Sequence, residues 1–329
     1  MQDSDLPAFR PPPWLRGCHR QTVGGAFLAP PALPTARPAE RLTVDLEDGE
    51  KLLLVRNRPA GRPRGRLLLL HGLGGCAESR HLRHLTEAAV PRGWETVRVN
   101  GRGAGEGMPL SPHIPHAGCW ADVAAVIAAS PFSDAAAGSP LIGVGVSLGG
   151  SILLSHLGRT GDASGLDGAM ALNPPTDLAW SLAELERPAN SLYHLYYTTL
   201  LRRDMRRRAR LYPDRYRPPA WARHRSVRAI DEAYVAADAG FTSAAAYYAG
   251  CSASDHMAGI KTPTWVLTAR DDPFVPLAML RRDLAGAPGV RLTVQPAGGH
   301  LGYLERRNGR LSFWGSRAVL AGAAILAGS

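Results

Sequence analysis

From about residue 41 the chain alternates short apolar runs with stretches of helical spacing. RLTVDL and KLLLVR flank an acidic turn containing Asp48 and Gly49, the pattern of a hairpin. RLLLLHG carries an unbroken apolar run from Leu67 to Leu70 that ends on His71 and Gly72, as a buried central strand does. A helical stretch from about Glu78 to Arg92 then leads to the strand ETVRVN. A helix over Asp122 to Ala129 leads to PLIGVGV, and one over Ser151 to Leu157 leads to GAMALN. After a long break come TPTWVLTA and VRLTVQ, with a helix from about Leu277 to Ala285 between them. Strands alternating with helices predict a mostly parallel α/β sheet with right-handed crossovers and helices on both faces. Such a sheet binds ligands beyond the carboxyl ends of its strands.

The break, from about Pro174 to Ile260, carries no strand pattern. Helical spacing appears around Leu192–Arg210, Ser226–Ala237 and Ser243–Ala249. An insert of helices at the carboxyl edge would roof the site as a cap. Residues 1–40 are proline-rich and read as an extended arm rather than a packed element. The expected organisation is therefore an arm over 1–40 and one α/β domain over 41–329, with a cap insert at about 174–260. The 329 residues suit one such domain, and no internal repeat is visible.

The net charge of +10 changes little. Only Lys51 and Lys261 are lysines, and an Arg skew beside abundant Ala, Gly and Pro fits a coding bias. A solvated basic surface is preferred over an anionic partner, and no nucleic-acid-binding motif appears. Cys18, Cys76, Cys119 and Cys251 are dispersed without CxxC pairing, which argues against a zinc site or disulfide scaffold and fits a reducing cytoplasm. The start MQDSDLPAFRPPPW lacks the basic and apolar regions of a signal peptide. AVLAGAAILAG near the end covers about half of the ~20 residues a membrane helix needs. It reads first as a closing helix packed on the domain and second as a peripheral membrane contact.

The strongest chemical signal is GVGVSLGG, which holds Gly145-Val146-Ser147-Leu148-Gly149 between an apolar strand and a helix. A sharp strand-to-helix turn would lift the Ser147 hydroxyl clear of the sheet, with the flanking glycines avoiding backbone collisions. A serine hydroxyl needs a base, and that base an orienting carboxylate. Asp271 and Asp272 follow the strand TPTWVLTA; Asp272 is preferred because its spacing to Val275 and Pro276 suits an acid-bearing turn. His300, after two glycines and the last parallel strand, is the base. HGLGG follows the first central strand, so the amides of Leu73 and Leu148 are the candidate oxyanion donors, with His71 supporting the loop. No metal or organic cofactor is called for.

Other features carry less. His81/His84 and His113/His116 have HxxH spacing without a third ligand and read as solvated or loop-bracing residues. Asp122 and Glu106 read as polar loop groups. The run LLRRDMRRRARLYPDRYRPP reads first as a solvated cap helix, and second as a patch steering anionic lipids or substrates. Tyr193, Tyr196, Tyr197, Tyr247 and Tyr248 read as cap packing, with some lining an acyl pocket.

Together these residues resemble the YheT-like branch of the α/β hydrolases, related to the eukaryotic ABHD1, ABHD2 and ABHD3 type proteins. The resemblance runs through LRGCHRQT, HGLGGCAESRHLRHL, NGRGAGEG, GVGVSLGG, ALNPPTDL, FTSAAAYYAGCSA, ARDDPF and GGHLGYL, nearly the whole chain. It implies the α/β-hydrolase fold with a helical cap. It also implies a carboxylic-ester hydrolase for short- or medium-chain acyl esters, monoacylglycerols among them, with the triad on Ser147, Asp272 and His300. Gly101 stands where an aromatic is expected and Arg20 where an apolar residue is usual, and neither touches the catalytic groups. The alternatives are a non-catalytic binding protein on the same fold, or an acyltransferase using the same acyl-enzyme.

Overall fold

The computed structural model describes residues 5–29, 33, 38–129, 138–216 and 224–328. Eight strands form one sheet: β1 (Glu40–Asp45), β2 (Lys51–Asn57), β3 (Gly65–Leu70), β4 (Trp94–Asn100), β5 (Leu141–Val146), β6 (Gly168–Leu172), β7 (Thr264–Ala269) and β8 (Val290–Gln295). Their order is β1-β2-β4-β3-β5-β6-β7-β8. The hairpin β1–β2 joins antiparallel to β4, and every pair from β4 through β8 is parallel. This is the mostly parallel sheet that the alternation of elements predicts, in the α/β-hydrolase fold that the resemblance implies.

The leucine run of β3 shows how the sheet is held. Leu67 and Leu69 enter the core on one face, with Leu82 and Leu85 of α2 (Arg80–Ala89); α1 is Cys18–Phe27. Leu68 and Leu70 enter the core on the other face. They meet Val123 and Val126 of α3 (Ala121–Ala128), and Leu153, Leu154 and Leu157 of α4 (Leu148–Thr160). All four β3 leucines are buried, each stabilising the fold by roughly 1.5–3 kcal/mol relative to exposure.

Between β6 and β7 the described residues are helical: α5 (Leu178–Leu185), α6 (Ser191–Leu211), α7 (Val227–Ile230), a π-helical turn (Asp231–Val235), α8 (Ala236–Asp238) and α9 (Ala244–Cys251). Side chains of Asp177, Ser226 and Ser243 cap α5, α7 and α9 by accepting from amides of their first turns. The Arg-rich run is only partly solvated, because Arg208 is wholly buried. It donates to the carbonyls of Pro112, His113 and Gly103 and pairs with Asp204, tying α6 to the loop after β4. Residues 217–219 of that run lie outside the described residues. The chain continues through α10 (Leu277–Leu284) and, past β8, a small hairpin of β9 (Leu304–Arg307) and β10 (Arg310–Phe313), which the alternation did not signal. It ends on α11 (Trp314–Leu326), the closing helix expected from the sequence, which packs with α2 on one face. No helix among the described residues is long and apolar enough to cross a membrane.

The N-terminal segment corrects an expectation. In place of an extended arm it contains α1, packed against the loop before β9. Gln21 is wholly buried; its amide donates to the carbonyls of Leu15 and Leu304, and its oxygen accepts from the Leu304 amide at 2.7 Å. A Cβ on Gly25 would come within 2.9 Å of the Gly302 Cα, so the small residue allows the close approach. Prolines on both sides hide a helix whose own sequence, CHRQTVGGAF, contains two poor helix formers.

Candidate active site

β5 ends at Val146 and α4 begins at Leu148, so Ser147 makes the whole turn alone. Its backbone sits at φ 50°, ψ −123°, a conformation that L side chains rarely adopt. The two glycines of the motif are required by contact. A Cβ on Gly145 would lie 2.3 Å from the Gly149 oxygen, and one on Gly149 would lie 2.5 Å from the oxygens of Leu70 and His71. The strained serine is locked by its amide, which donates to Leu172 O at 2.8 Å, and by its carbonyl, which accepts from Gly150 and Ser151.

The side chains gathered around it come from the carboxyl ends of β6, β7 and β8. His300 Nε2 lies 2.9 Å from Ser147 Oγ, and His300 Nδ1 lies 2.8 Å from Asp272 Oδ2. A carboxylate only accepts, so Nδ1 carries the proton and Nε2 is left free to accept from the serine hydroxyl. Asp272 is saturated with donors. Its Oδ1 accepts from the amides of Phe274 and Val275 at 3.0 and 2.9 Å, and its Oδ2 also accepts from Asn173 Nδ2 at 2.6 Å. Asp271 has a different job: its Oδ1 accepts from the Gly299 amide at 2.8 Å, holding the loop that carries His300. Burial pushes the Asp271 carboxyl above its ordinary pKa.

Two positioning residues escaped the sequence reading. Asn173, at the end of β6, is fully buried at φ 47°. Besides Asp272 it donates to Gly299 O at 3.2 Å, and its oxygen accepts from the buried Tyr303 hydroxyl at 2.8 Å. Thr22 of α1 accepts from the His300 amide at 2.9 Å while donating to Cys18 O. An Asn just past a strand gives no sequence signal of its own. Thr22 sits in the CHRQT block, whose placement beside His300 only the fold reveals. Phe274 packs its ring 4.2 Å from the His300 imidazole and completes the support.

The loop after β3 approaches from the other side. A Cβ on Gly72 would lie 3.2 Å from the Ser147 Cβ. His71 Nε2 accepts from the Gly101 amide at 3.1 Å, which leaves Nδ1 to donate to Gly72 O at 2.8 Å and fixes the tautomer. Burial lowers the His71 pKa, in keeping with a neutral ring. Leu148 opens α4, where an amide has no carbonyl one turn back. Neither its N–H nor that of Leu73 meets a hydrogen-bond acceptor among the described residues.

Two cavities meet at this point, sharing Leu73, Pro115 and Leu148 in their walls. One, with about 790 Å³ of open space, contains Ser147 and is roofed by Leu178, Leu182 and Leu201. Tyr197, Tyr247 and Tyr248 also line it. The other, about 570 Å³, runs along His71, Arg102, Cys119 and Asp122. Arg102 grips Asp122 with two nitrogens, making Asp122 part of an ion-pair network with Asp48 and Glu50. Glu106 pairs with Arg41. The HxxH histidines are engaged separately: His81 with Leu301 O, His84 beside the Phe313 ring, His113 with Glu50, and His116 with the Gly118 amide. Tyr193 lies against His19 and Phe274 rather than in the cavity wall, and Tyr196 is exposed.

A model of the "Alpha/beta hydrolase family" matches residues 67–311. YheT of Escherichia coli strain K12 is 30% identical over 269 residues, covering 79% of this chain and 77% of that protein. The mouse protein "Phospholipase ABHD3" is 29% identical over 242 residues, covering 73% of this chain but only 58% of its own length. Among solved structures, 2,6-dihydroxy-pseudo-oxynicotine hydrolase superposes with a TM-score of 0.56 at 19% identity, over 87% of this chain and 66% of that one. That likeness concerns the fold.

Proposed function

The chain belongs to the alpha/beta hydrolase family, and from that premise we propose that it hydrolyses carboxylic esters through an acyl-enzyme on Ser147. The observation that carries this reading is the continuous hydrogen-bonded path from Ser147 Oγ through His300 to a donor-saturated Asp272. His300 takes the serine proton as Oγ attacks the ester carbonyl, and Asp272 holds the imidazolium that forms. The free amides of Leu73 and Leu148 stabilise the oxyanion, worth roughly 2.7–4 kcal/mol for a single donor in comparable sites. His300 then protonates the leaving alcohol, and water attacks the acyl-enzyme by the same route.

The described helices between β6 and β7 act as the cap, their leucines and tyrosines giving an apolar chamber suited to a short or medium acyl chain. The mouse relative's name, a phospholipase, is in line with a lipid-derived ester. The test is a chain-length series of p-nitrophenyl esters and monoacylglycerols, run beside Ser147→Ala. The expected result is turnover by the wild type with an optimum among short or medium chains, lost in the variant. A folded wild type that turns over none of them would refute the proposal. Adding glycerol as an acceptor separates hydrolysis from acyl transfer.

A further inference from the structure

The chamber that opens on Ser147 is apolar over most of its wall, and one carboxylate interrupts it. Asp231 lines the chamber at 9% exposure and opens the π-helical turn Asp231–Val235. Wide turns of this kind recur at functional sites, because the extra residue re-aims a side chain. Asp231 Oδ2 accepts from the Tyr248 hydroxyl at 2.7 Å. Oδ1 meets no donor among the described residues. Arg228, the cation closest in influence, grips Glu186 with two nitrogens and lies over the Tyr248 ring instead.

Asp272 shows how a buried acid is matched when all its partners belong to the protein: both of its oxygens meet donors. Asp231 Oδ1 instead keeps surface open to the chamber, an unmatched acceptor in an otherwise apolar wall that is available to whatever the chamber binds. We propose that Asp231 is a specificity-determining residue whose open oxygen accepts a hydrogen bond from a hydroxyl group on the bound ester. The preferred substrate then carries a free hydroxyl on the part lodged under the cap. That hydroxyl belongs either to a hydroxylated acyl chain or to a glycerol-like alcohol. This inference rests on the ester-hydrolase reading above.

A neutral donor suits the site better than a cation. Burial pushes the Asp231 carboxyl up to about 7, although Tyr248 and Arg228 pull the other way. The remaining groups felt across this cluster are Glu186, which raises Asp231 further, and the Tyr247 phenol. The acid is therefore not reliably ionised near neutrality, whereas a hydroxyl binds either form and the carboxylate more strongly.

The experiment compares kcat/KM within matched pairs. One pair is p-nitrophenyl ω-hydroxyoctanoate against p-nitrophenyl octanoate; the other is monooctanoylglycerol against propyl octanoate. The wild type is expected to favour the hydroxylated member of one pair by about tenfold or more, and the responding pair identifies the source of the hydroxyl. Within that pair the ratio should rise between about pH 6 and pH 8; the titration of His300 cancels because both members need it. Asp231→Leu should bring the ratio close to unity. So should Asp231→Leu with Tyr248→Phe, which removes both polar partners and leaves no orphaned hydroxyl to unfold the cap. A wild type that turns over the plain esters but discriminates neither pair would overturn the inference alone, as would a preference surviving in the double variant. Turnover of no ester at all would overturn the hydrolase reading and this inference with it.

Discussion

Replacing Asp272 by Asn should nearly abolish activity, and the geometry shows why no rearrangement rescues it. Four donors converge on the two oxygens: the amides of Phe274 and Val275 on Oδ1, Asn173 Nδ2 and His300 Nδ1 on Oδ2. An amide side chain must turn its NH2 toward one of these two sets. Facing the backbone pair, it leaves two amides unpaired, at about 1–3 kcal/mol each. Facing His300, it donates to Nδ1 and forces the imidazole proton onto Nε2, so the ring no longer accepts the Ser147 proton. It then also opposes the Asn173 NH2, which cannot simply rotate because its oxygen is held by Tyr303. The wrong tautomer costs roughly 10³–10⁴ in kcat/KM, or about 4–5.5 kcal/mol of transition-state stabilisation. The assay is p-nitrophenyl butyrate hydrolysis, with thermal unfolding measured in parallel. Asp271→Asn, which disturbs the backbone amides at Gly298 and Gly299 rather than the His300 ring, should lose about tenfold or less. If Asp272→Asn kept activity within about tenfold while Asp271→Asn lost a thousandfold, the assignment of the acid would be wrong.

Asn173→Leu should destabilise by about 2–5 kcal/mol, since it orphans the buried Tyr303 hydroxyl and forces a leucine to positive φ; a urea midpoint unchanged from wild type would contradict this. Thr22→Val keeps the shape of the side chain but leaves the His300 amide without its acceptor. It should lower kcat by about 3- to 30-fold with KM little changed, and a KM effect alone would count against a positioning role. Stability should fall on acidification from about pH 7 to pH 5. Burial lowers His81, His84 and His116 to about 4, below the ordinary value of 6.5. The unfolded chain therefore binds more protons than the folded one in that window, and their contribution is lost as the pH falls from about 6.5 toward 4. Asp231, raised to about 7, has the opposite sign: its contribution is lost as the pH rises toward 7. Burial also lowers His71, His156 and His256 and raises Asp122 and Asp271, so six histidines oppose three acids, and a urea midpoint equal or higher at about pH 5 would contradict the balance.

The parts of this molecule that were legible beforehand are those fixed by local rules. Strand β3 shows itself as four leucines ending on His71 and Gly72, and the turn at Ser147 shows itself because only glycine fits at 145 and 149. Chain order alone placed Asp272 and His300 after β7 and β8. The choice between Asp271 and Asp272 rested on a spacing; in the fold Asp272 faces the His300 ring while Asp271 faces the Gly299 amide. What stayed hidden depends on contacts distant in sequence. Gln21 meets Leu304 and Thr22 meets His300 across nearly the whole chain. Helix α1 owes its stability to those partners rather than to its own composition. Arg208 looked like one more solvated arginine until the loop carbonyls of Gly103, Pro112 and His113 closed around it. Likewise Asp231 is unremarkable in a helical stretch, and only the packing of the cap puts it in the same wall as Ser147.

The central claim is that His300 and Asp272 make Ser147 Oγ a nucleophile. Incubation with a fluorophosphonate, followed by intact-mass and peptide analysis, tests this most directly because it needs no knowledge of the substrate. The account predicts one adduct per chain, located on Ser147, absent from Ser147→Ala and strongly slowed in His300→Ala. A folded wild type that stays unlabelled, or an adduct that persists in Ser147→Ala, would contradict it.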